Sequence, residues 1–233
     1  MKNKNLVLDR NCHALYTKTC GKEIKKTICK HYDKGSVSKI WEKVQLKFVD
    51  FLKNWRTDLG GTKNFHNGIA GTYDCIALMS YYVVCKDVSS FKEVEEMAAN
   101  LIVPSFKKLQ FVDINKPFWK KLMYKAFQNA KKRCDKWNDY VMNVAPYEKD
   151  KPIYYEFTFC HIAQFAKQNN LLDILPALCN SDYAALEKIH ARLVRKETCG
   201  NGDRCDYTIY GSKDKDLINH EEYVDEKGGR RNK

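Results

Sequence analysis

The chain has 233 residues, 44% hydrophobic and 12% aromatic, and 41 Lys and Arg against 29 Asp and Glu give it a formal net charge of +12. That length and apolar content suffice to bury a core without cross-links, and they exclude an intrinsically disordered chain. The longest nearly apolar run, "CIALMSYYVVC" at 75–85, is too short to span a bilayer, and the mean hydropathy of -0.59 agrees.

The amino terminus, "MKNKNLVLDRNCH", holds only three apolar residues in a row, short of a signal-peptide core, so the sequence predicts a soluble cytoplasmic protein. In that compartment the ten cysteines are expected as reduced thiols. They form no C-x-x-C pair and no paired Cys/His spacing, which leaves a structural zinc site with little support. The basic residues are mixed with acids along the chain, and the one compact cluster is "KGGRRNK" at the end. This pattern argues against nucleic acid as a partner and fits a surface that draws in a small anionic substrate.

In chain order, residues 14–32 read as a helix, with Gly35 closing the connection that follows. Ile40, Val44, Phe48, Phe51 and Trp55 then fall on one face of a second helix, capped by Ser36 or Ser38 and ending at "DLGG". "GGTKNFHNG" is a loop, and Ile69–Val84, apolar on more than one face, is a buried helix. Ser90 and Glu93 make a capping box for a helix running toward Pro104. Pro117 sits in the first turn of an amphipathic helix through "FWKKLMYKAFQNAKKRCDKWNDYV".

At "APYEKDKP" the pattern changes to a linker, and "IYYEFTF" alternates Tyr155, Phe157 and Phe159 against Tyr154, Glu156 and Thr158 as a strand. "CHIAQFAKQNN" and "SDYAALEKIHARL" have helical spacing, with "LLDILPALC" between them. "RLVRKET" and "RCDYTIY" flank "CGNGD", where Asn201-Gly202 signals a two-residue hairpin. That register sets Thr198 opposite Cys205, Glu197 opposite Asp206 and Arg195 opposite Thr208. Arg195, Glu197, Asp206 and Thr208 then share one face, and Thr198, Cys205 and Tyr207 the other. Beyond Asp214 the chain reads as a solvated, frayed tail. The expected fold class is α+β, with a mainly helical N-terminal two-thirds and a small antiparallel sheet plus helices in the C-terminal third. The expected divisions are a helical region at 1–150, an α+β region at 151–213 forming one compact unit with it, and a charged tail at 214–233.

Cys160 stands where a strand gives way to a helix, and a thiol there is favoured as thiolate by unpaired N–H groups and the helix dipole. Its plain alternative is a half-buried thiol under the sheet. His161, its neighbour, cannot be assumed to be its base. Asp182 lies in the first turn of a helix that Asn180 or Ser181 can cap, directly after Cys179. Arg192 and Arg195 are candidate carboxylate anchors, because a guanidinium grips two oxygens at once.

These residues carry a resemblance. The run "EFTFCHIAQFAKQNNLLDILPALCNSDYAALEKIHARLVRKETCGNGDRCDYTIYG" resembles the C-terminal signature of the L-2-amino-thiazoline-4-carboxylic acid hydrolase family. The pattern is a Cys entering a helix, a Cys with an Asp three positions later, then Arg, Thr and Gly leading to Cys-Asp-aromatic. Here these are Cys160, Cys179, Asp182, Arg195, Thr198, Gly202, Cys205, Asp206 and Tyr207. Cys199 stands where a small apolar residue is usual, which makes it look incidental, and Tyr207 stands where Phe is usual. Agreement is weaker back to Phe65.

The resemblance implies a hydrolase that opens a 2-aminothiazoline ring by adding water at C2, giving a carbamoyl-cysteine. Its catalytic residues would be Cys160, Asp182, Cys205 and Asp206, with Cys160 as nucleophile and the two carboxylates holding the cationic amidine. Arg195, Thr198 and Tyr207 would bind substrate, Arg195 as the carboxylate anchor. A rival role is a soft metal on Cys160, Cys179 and Cys205 that activates water, although the sequence requires no cofactor. The alternative function is a non-catalytic small-molecule binding protein of the same fold.

Overall fold

A computed structural model describes residues 16–54, 70–137 and 140–233. The chain divides into two compact units, Met1–Leu101 and Ile102–Lys233. Among the described residues no helix is long and apolar enough to cross a membrane.

The first unit is helical. Helix α1 (Lys18–His31) is capped by Thr17, whose hydroxyl accepts the Cys20 N–H at 3.1 Å and donates to Asp74 at 2.9 Å. Helix α2 (Lys34–Asn54) begins two residues before the expected Ser36 cap. Asp33 is the reason: its carboxylate accepts from the N–H groups of Gly35 and Ser36 and from the Ser36 hydroxyl. Val44, Phe48 and Phe51 are buried as their spacing predicts, while Trp55, the "DLGG" stop and the loop at 60–68 lie outside the described residues. Helix α3 (Ala70–Val84) is buried on several faces through Tyr73, Ile76, Met79 and Tyr81, and Ile69 at its expected start is also outside the described residues. Helix α4 (Phe91–Lys107) opens on the expected box, with Glu93 N–H donating to Ser90 Oγ and Ser90 N–H to Glu93 Oε2. It continues past Pro104 for one further turn.

The second unit is the α+β part. Helix α5 (Pro117–Trp137) packs on the strand pair β1 (Val141–Val144) and β2 (Ile153–Phe159). Strand β1 was not apparent in the sequence, where helical spacing ran through Val141; "APYEKDKP" is the connection that folds β1 back onto β2. Helices α6 (His161–Gln168), α7 (Leu175–Cys179) and α8 (Ser181–Glu187) follow, then β3 (Ala191–Val194) and β4 (Cys205–Gly211). "ARL", expected to continue a helix, is strand, and His190 with a φ of 56° makes the break. The four strands form an antiparallel sheet in the order β1-β2-β4-β3.

Strand β4 is the centre. Ile209, Tyr207 and Cys205 alternate inward, and Tyr155 of β2 lies directly opposite Tyr207 with the rings stacked at 4.5 Å. Phe127 of α5 covers Tyr155 at 4.4 Å, and Tyr183, Leu186 and Ile189 close the cluster from the α8 side. The inward alternation of Tyr155 and Phe157 holds as read, while Phe159 is 37% exposed.

The expected β3–β4 hairpin is corrected by one residue. Val194 lies opposite Thr208 and Leu193 opposite Ile209, and the ladder ends there. The Asp206 carboxylate takes the N–H groups of Lys196 and Glu197, which draws the chain out of the sheet. Asn201-Gly202 does form a turn, closed onto the Thr198 carbonyl at 3.0 and 2.8 Å, but inside a longer loop. A Cβ at Gly202 would run into the Glu197 carboxylate.

The frayed tail is also corrected. A 3-10 turn (Lys215–Asn219) leads to a hairpin of β5 (Glu222–Val224) and β6 (Arg230–Asn232), with Arg231 and Asn232 buried. The physical reason is backbone pairing: Arg195 N–H donates to Asn232 Oδ1 at 3.0 Å, and Asn232 N–H donates to the Arg195 carbonyl at 2.9 Å. Asn180 holds the other end, accepting from Arg230 N–H and donating to the Gly228 carbonyl. Burial by a specific partner overrides a polar composition here.

Because Ile209 is fully buried on the central strand, Ile209→Ala is expected to cost about 2–5 kcal/mol, whereas Ile218→Ala, at a side chain 89% exposed, should stay within about 0.5 kcal/mol. Urea midpoints of the two variants at constant m decide it.

Candidate active site

The inner face of β4 and the segments that lead into α6 and α8 bring one group of residues together. Arg195, just past β3, has a side chain with 0% exposure. Its Nη1 is 3.3 Å from Asp182 Oδ2 and 3.5 Å from Tyr207 Oη, and its Nη2 donates to the Cys179 carbonyl at 3.2 Å. The guanidinium lies 5.0 Å from the Tyr183 ring centre and 5.5 Å from that of Tyr207. Tyr207 Oη donates to the same Asp182 oxygen at 2.9 Å. Asp182 is therefore held by one cation and one phenol, and its side chain keeps 30% exposure. Burial raises its carboxyl above the ordinary range, while Arg195 and the Tyr207 hydrogen bond oppose that rise.

Beside this pair stands a cluster of sulfurs. Cys205 is buried, and its Sγ accepts the Cys199 backbone N–H at 3.2 Å. The Cys160 thiol lies against it as a second donor. These donors, Cys160 first, hold the Cys205 thiol far below its ordinary range against the burial that would raise it, and Arg195 adds to the effect. Cys160 moves the other way, raised by its hydrogen bond to Cys205 and then by burial. Cys199 is raised by its contact with Cys205 and then by burial, and its thiol donates to the Phe157 carbonyl at 3.3 Å. Burial pushes Cys179 up to about 12, with Arg195 opposing.

Within the pair the thiolate is favoured on Cys205 and the proton on Cys160. Cys160 begins α6 as the residue before His161, makes no side-chain cap hydrogen bond, and is the less buried member of the pair. The position inferred for it holds; the resting thiolate lies on its partner.

Three expected site residues are used differently. Asp206 points to the opposite face of β4, across from Glu156, and its carboxylate is committed to the loop N–H groups. Arg195, expected as a carboxylate anchor, spends both Nη groups on Asp182, Tyr207 and Cys179. Thr198 is buried, with its Oγ1 donating to Asn201 and accepting from Gly200 N–H and Arg231. Arg192 is an exposed partner of Glu187. The expected grouping by face is inverted, since Arg195 joins Tyr207 and Cys205, not Asp206.

Cys199, read as incidental, supplies the backbone N–H that Cys205 Sγ accepts. Its neighbour relation to the turn was the only available signal. Arg231 and Asn232 were hidden in the basic tail. Among the described residues no group of three or more His, Cys, Asp and Glu has a metal-holding arrangement, and the candidate set Cys160, Cys179 and Cys205 is divided. Cys160 and Cys205 meet as hydrogen-bonded sulfurs, with Cys199 as the third member in place of Cys179.

The family model described as L-2-amino-thiazoline-4-carboxylic acid hydrolase matches residues 74–209, more than half of the chain. The match takes in every member of the sulfur cluster as well as Asp182, Arg195 and Tyr207. No curated protein and no solved structure matches the chain. With a match of that extent over the elements that build the site, the chain belongs to the L-2-amino-thiazoline-4-carboxylic acid hydrolase family.

Proposed function

We propose that the protein is a hydrolase that opens a small cyclic amidine, a 2-aminothiazoline-4-carboxylate or a close analogue, through its Cys160–Cys205 pair. The observation that carries this reading is the buried Cys205 sulfur accepting the Cys199 N–H and lying against the Cys160 thiol, itself at a helix start.

The reacting carbon is C2, bonded to the ring sulfur, the ring nitrogen and the exocyclic amine, and protonation of the ring nitrogen makes it electrophilic. Cys160 Sγ attacks C2 while its proton passes to Cys205, a transfer between two thiols that needs little driving force. The C2–S bond then breaks, and Cys205 returns the proton to the departing ring sulfur. Water adds to the resulting isothiourea, giving a proton to Cys205, and expels Cys160 as thiolate, which restores one proton to the pair. The oxygen of water ends in the carbamoyl group, one C–S bond is lost from the ring, and the freed substrate thiol carries a proton. The exposed edge of Asp182 is the group suited to the amidinium, and Arg195 with Tyr207 keeps that carboxylate in place.

Incubation with L-2-amino-thiazoline-4-carboxylate should yield carbamoyl-cysteine by mass spectrometry, and Cys160→Ala should lower kcat/KM by at least about 10³-fold. Turnover equal to wild type in that variant removes Cys160 from the reaction. Tight retention of the ring compound with no turnover in wild type favours the non-catalytic binding protein instead.

The pH dependence follows from the shared proton. Cys205 has a lowered pKa, so its thiolate is present above that value and the acid limb of kcat/KM lies well below the ordinary thiol value of about 8.5. In Cys205→Ser the proton acceptor is gone and Cys160 is released from the bond that raises it. Activity should fall by about 10²–10⁴-fold at neutral pH, and its acid limb should move up toward the ordinary thiol range. An unmoved acid limb excludes Cys205 as the acceptor.

Arg195→Met would strand the Asp182 carboxylate and unclamp the Cys179 carbonyl. It is expected to destabilise the protein by about 3–5 kcal/mol, measured by denaturant unfolding. Arg192→Met, at the exposed ion pair, should cost less than about 1 kcal/mol.

A further inference from the structure

Arg231 is a buried cation that the chemistry above does not use. It lies on β6 with 3% exposure. Its Nε pairs with Asp225 Oδ2 at 3.2 Å and its Nη2 donates to Thr198 Oγ1 at 3.4 Å, while its Nη1 has no partner. A buried N–H left without an acceptor is costly, and more so on a charged group. Arg231, Thr198, Gly200 and Lys227 line a cavity of about 10 Å³, backed by the apolar side chains of Leu175 and Pro176. That is space for about one oxygen atom or one water.

The charge around the cavity selects what enters. Asp225 neutralises one of the two cations, Arg231 and Lys227, so the lining remains net positive. A guanidinium presented edge-on, with one N–H open beside a second already bonded, matches a carboxylate oxygen better than a neutral group. The location is also informative. Thr198 receives Arg231, and the next residue, Cys199, donates its N–H to Cys205 Sγ, so one short segment has the cation at one end and the reacting sulfurs at the other. Arg195 is the weaker anchor, because both its Nη groups are committed and only its buried Nε is without a partner.

We propose that Arg231, with Thr198 beside it, seats an oxygen of a small-molecule carboxylate in this cavity. Resting on the hydrolase reading, that carboxylate is the one on C4 of the ring, and Arg231 sets the specificity for acids over their neutral analogues.

The test titrates the full-length protein with acetate and with acetamide, its neutral isostere, and reads amide and Arg side-chain NMR shifts. Acetate should give saturable shifts at Gly200, Asn201, Gly229 and the Arg231 guanidinium that acetamide does not. Equal responses to both, or none at these groups, mean that an ordered water only fills the cavity, and the proposal is overturned. A second arm measures L-2-amino-thiazoline-4-carboxylate and its carboxamide on Cys160→Ala by calorimetry. The acid should bind about 10- to 100-fold more tightly, and adding Arg231→Gln should collapse the ratio to about threefold or less. Turnover of the acid with an acid-to-amide ratio near one overturns the seat and leaves the hydrolase reading standing. Acetate binding at Arg231 without any turnover supports the seat and defeats the hydrolase reading.

Discussion

A guanidinium with no exposed surface must be matched by its surroundings, because removing an ion from water costs several kcal/mol unless Coulomb attraction and hydrogen bonds offset it. Arg195 is matched by Asp182, by the Cys179 carbonyl, by the Tyr207 hydroxyl and by the faces of two tyrosine rings. Each partner comes from a different segment. Asp182 requires α8 to begin where it does, Cys179 requires α7 to end beside it, and Tyr207 requires the β4 register. The backbone of Arg195 adds the C-terminal strand through Asn232. The position of one side chain thus fixes four elements of the second unit relative to one another.

The sulfur chemistry depends on the same cation. A thiolate on Cys205, buried on the inner face of a strand, would be expelled by desolvation alone. The Cys199 N–H and the Cys160 thiol converge on it, and Arg195 supplies positive potential from just past the adjacent strand. One of those donors is a thiol, which makes the arrangement different from a fixed oxyanion-type cradle: a proton that stabilises the charge is one that can move. The separation of roles is geometric. Cys160 is at the start of a helix and partly buried, whereas Cys205 is in the sheet and buried.

Much of the helical framework was legible because it follows local rules. The step pattern at Val44, Phe48 and Phe51, the Ser90–Glu93 box and Pro117 in the first turn each depend on residues within one or two turns. Strand β2 was legible for the same reason, through the alternation of Tyr155 and Phe157. What failed depends on side chains reaching across sequence. Asp206 intercepts the N–H groups of Lys196 and Glu197, and no strand propensity encodes that capture, so the ladder stops at Val194 and the faces exchange. Asp33 displaced two serines as the α2 cap by the same kind of competition. The pattern put Cys160, Asp182, Cys205 and Tyr207 in one group, as the structure does, but Arg195 was expected to hold a ligand with Nη groups that are already committed within the fold. Cys199 was passed over because its contribution is partly through its backbone N–H, which any residue type would have carried.

The C-terminal hairpin shows why composition misleads at a chain end. "VDEKGGRRNK" has the charge density of a solvated segment, yet Arg231 is bonded to Asp225 and Thr198, and Asn232 completes the backbone of Arg195. Asn180 and Tyr183, from the segment that carries Asp182, hold the Gly228 and Arg230 carbonyls. The hairpin therefore touches the site at its cation, at its Asp-bearing helix and at the loop that feeds Cys205. These contacts lie beyond residue 209, where the family match stops. The shared segment carries the Cys160–Cys205 pair, and the hairpin is a separate structural layer placed on it. A division of that kind lets a common sulfur chemistry be combined with a locally set preference for what is presented to it, since changes in the hairpin can alter the lining of the Arg231 cavity without disturbing the alternation of β4.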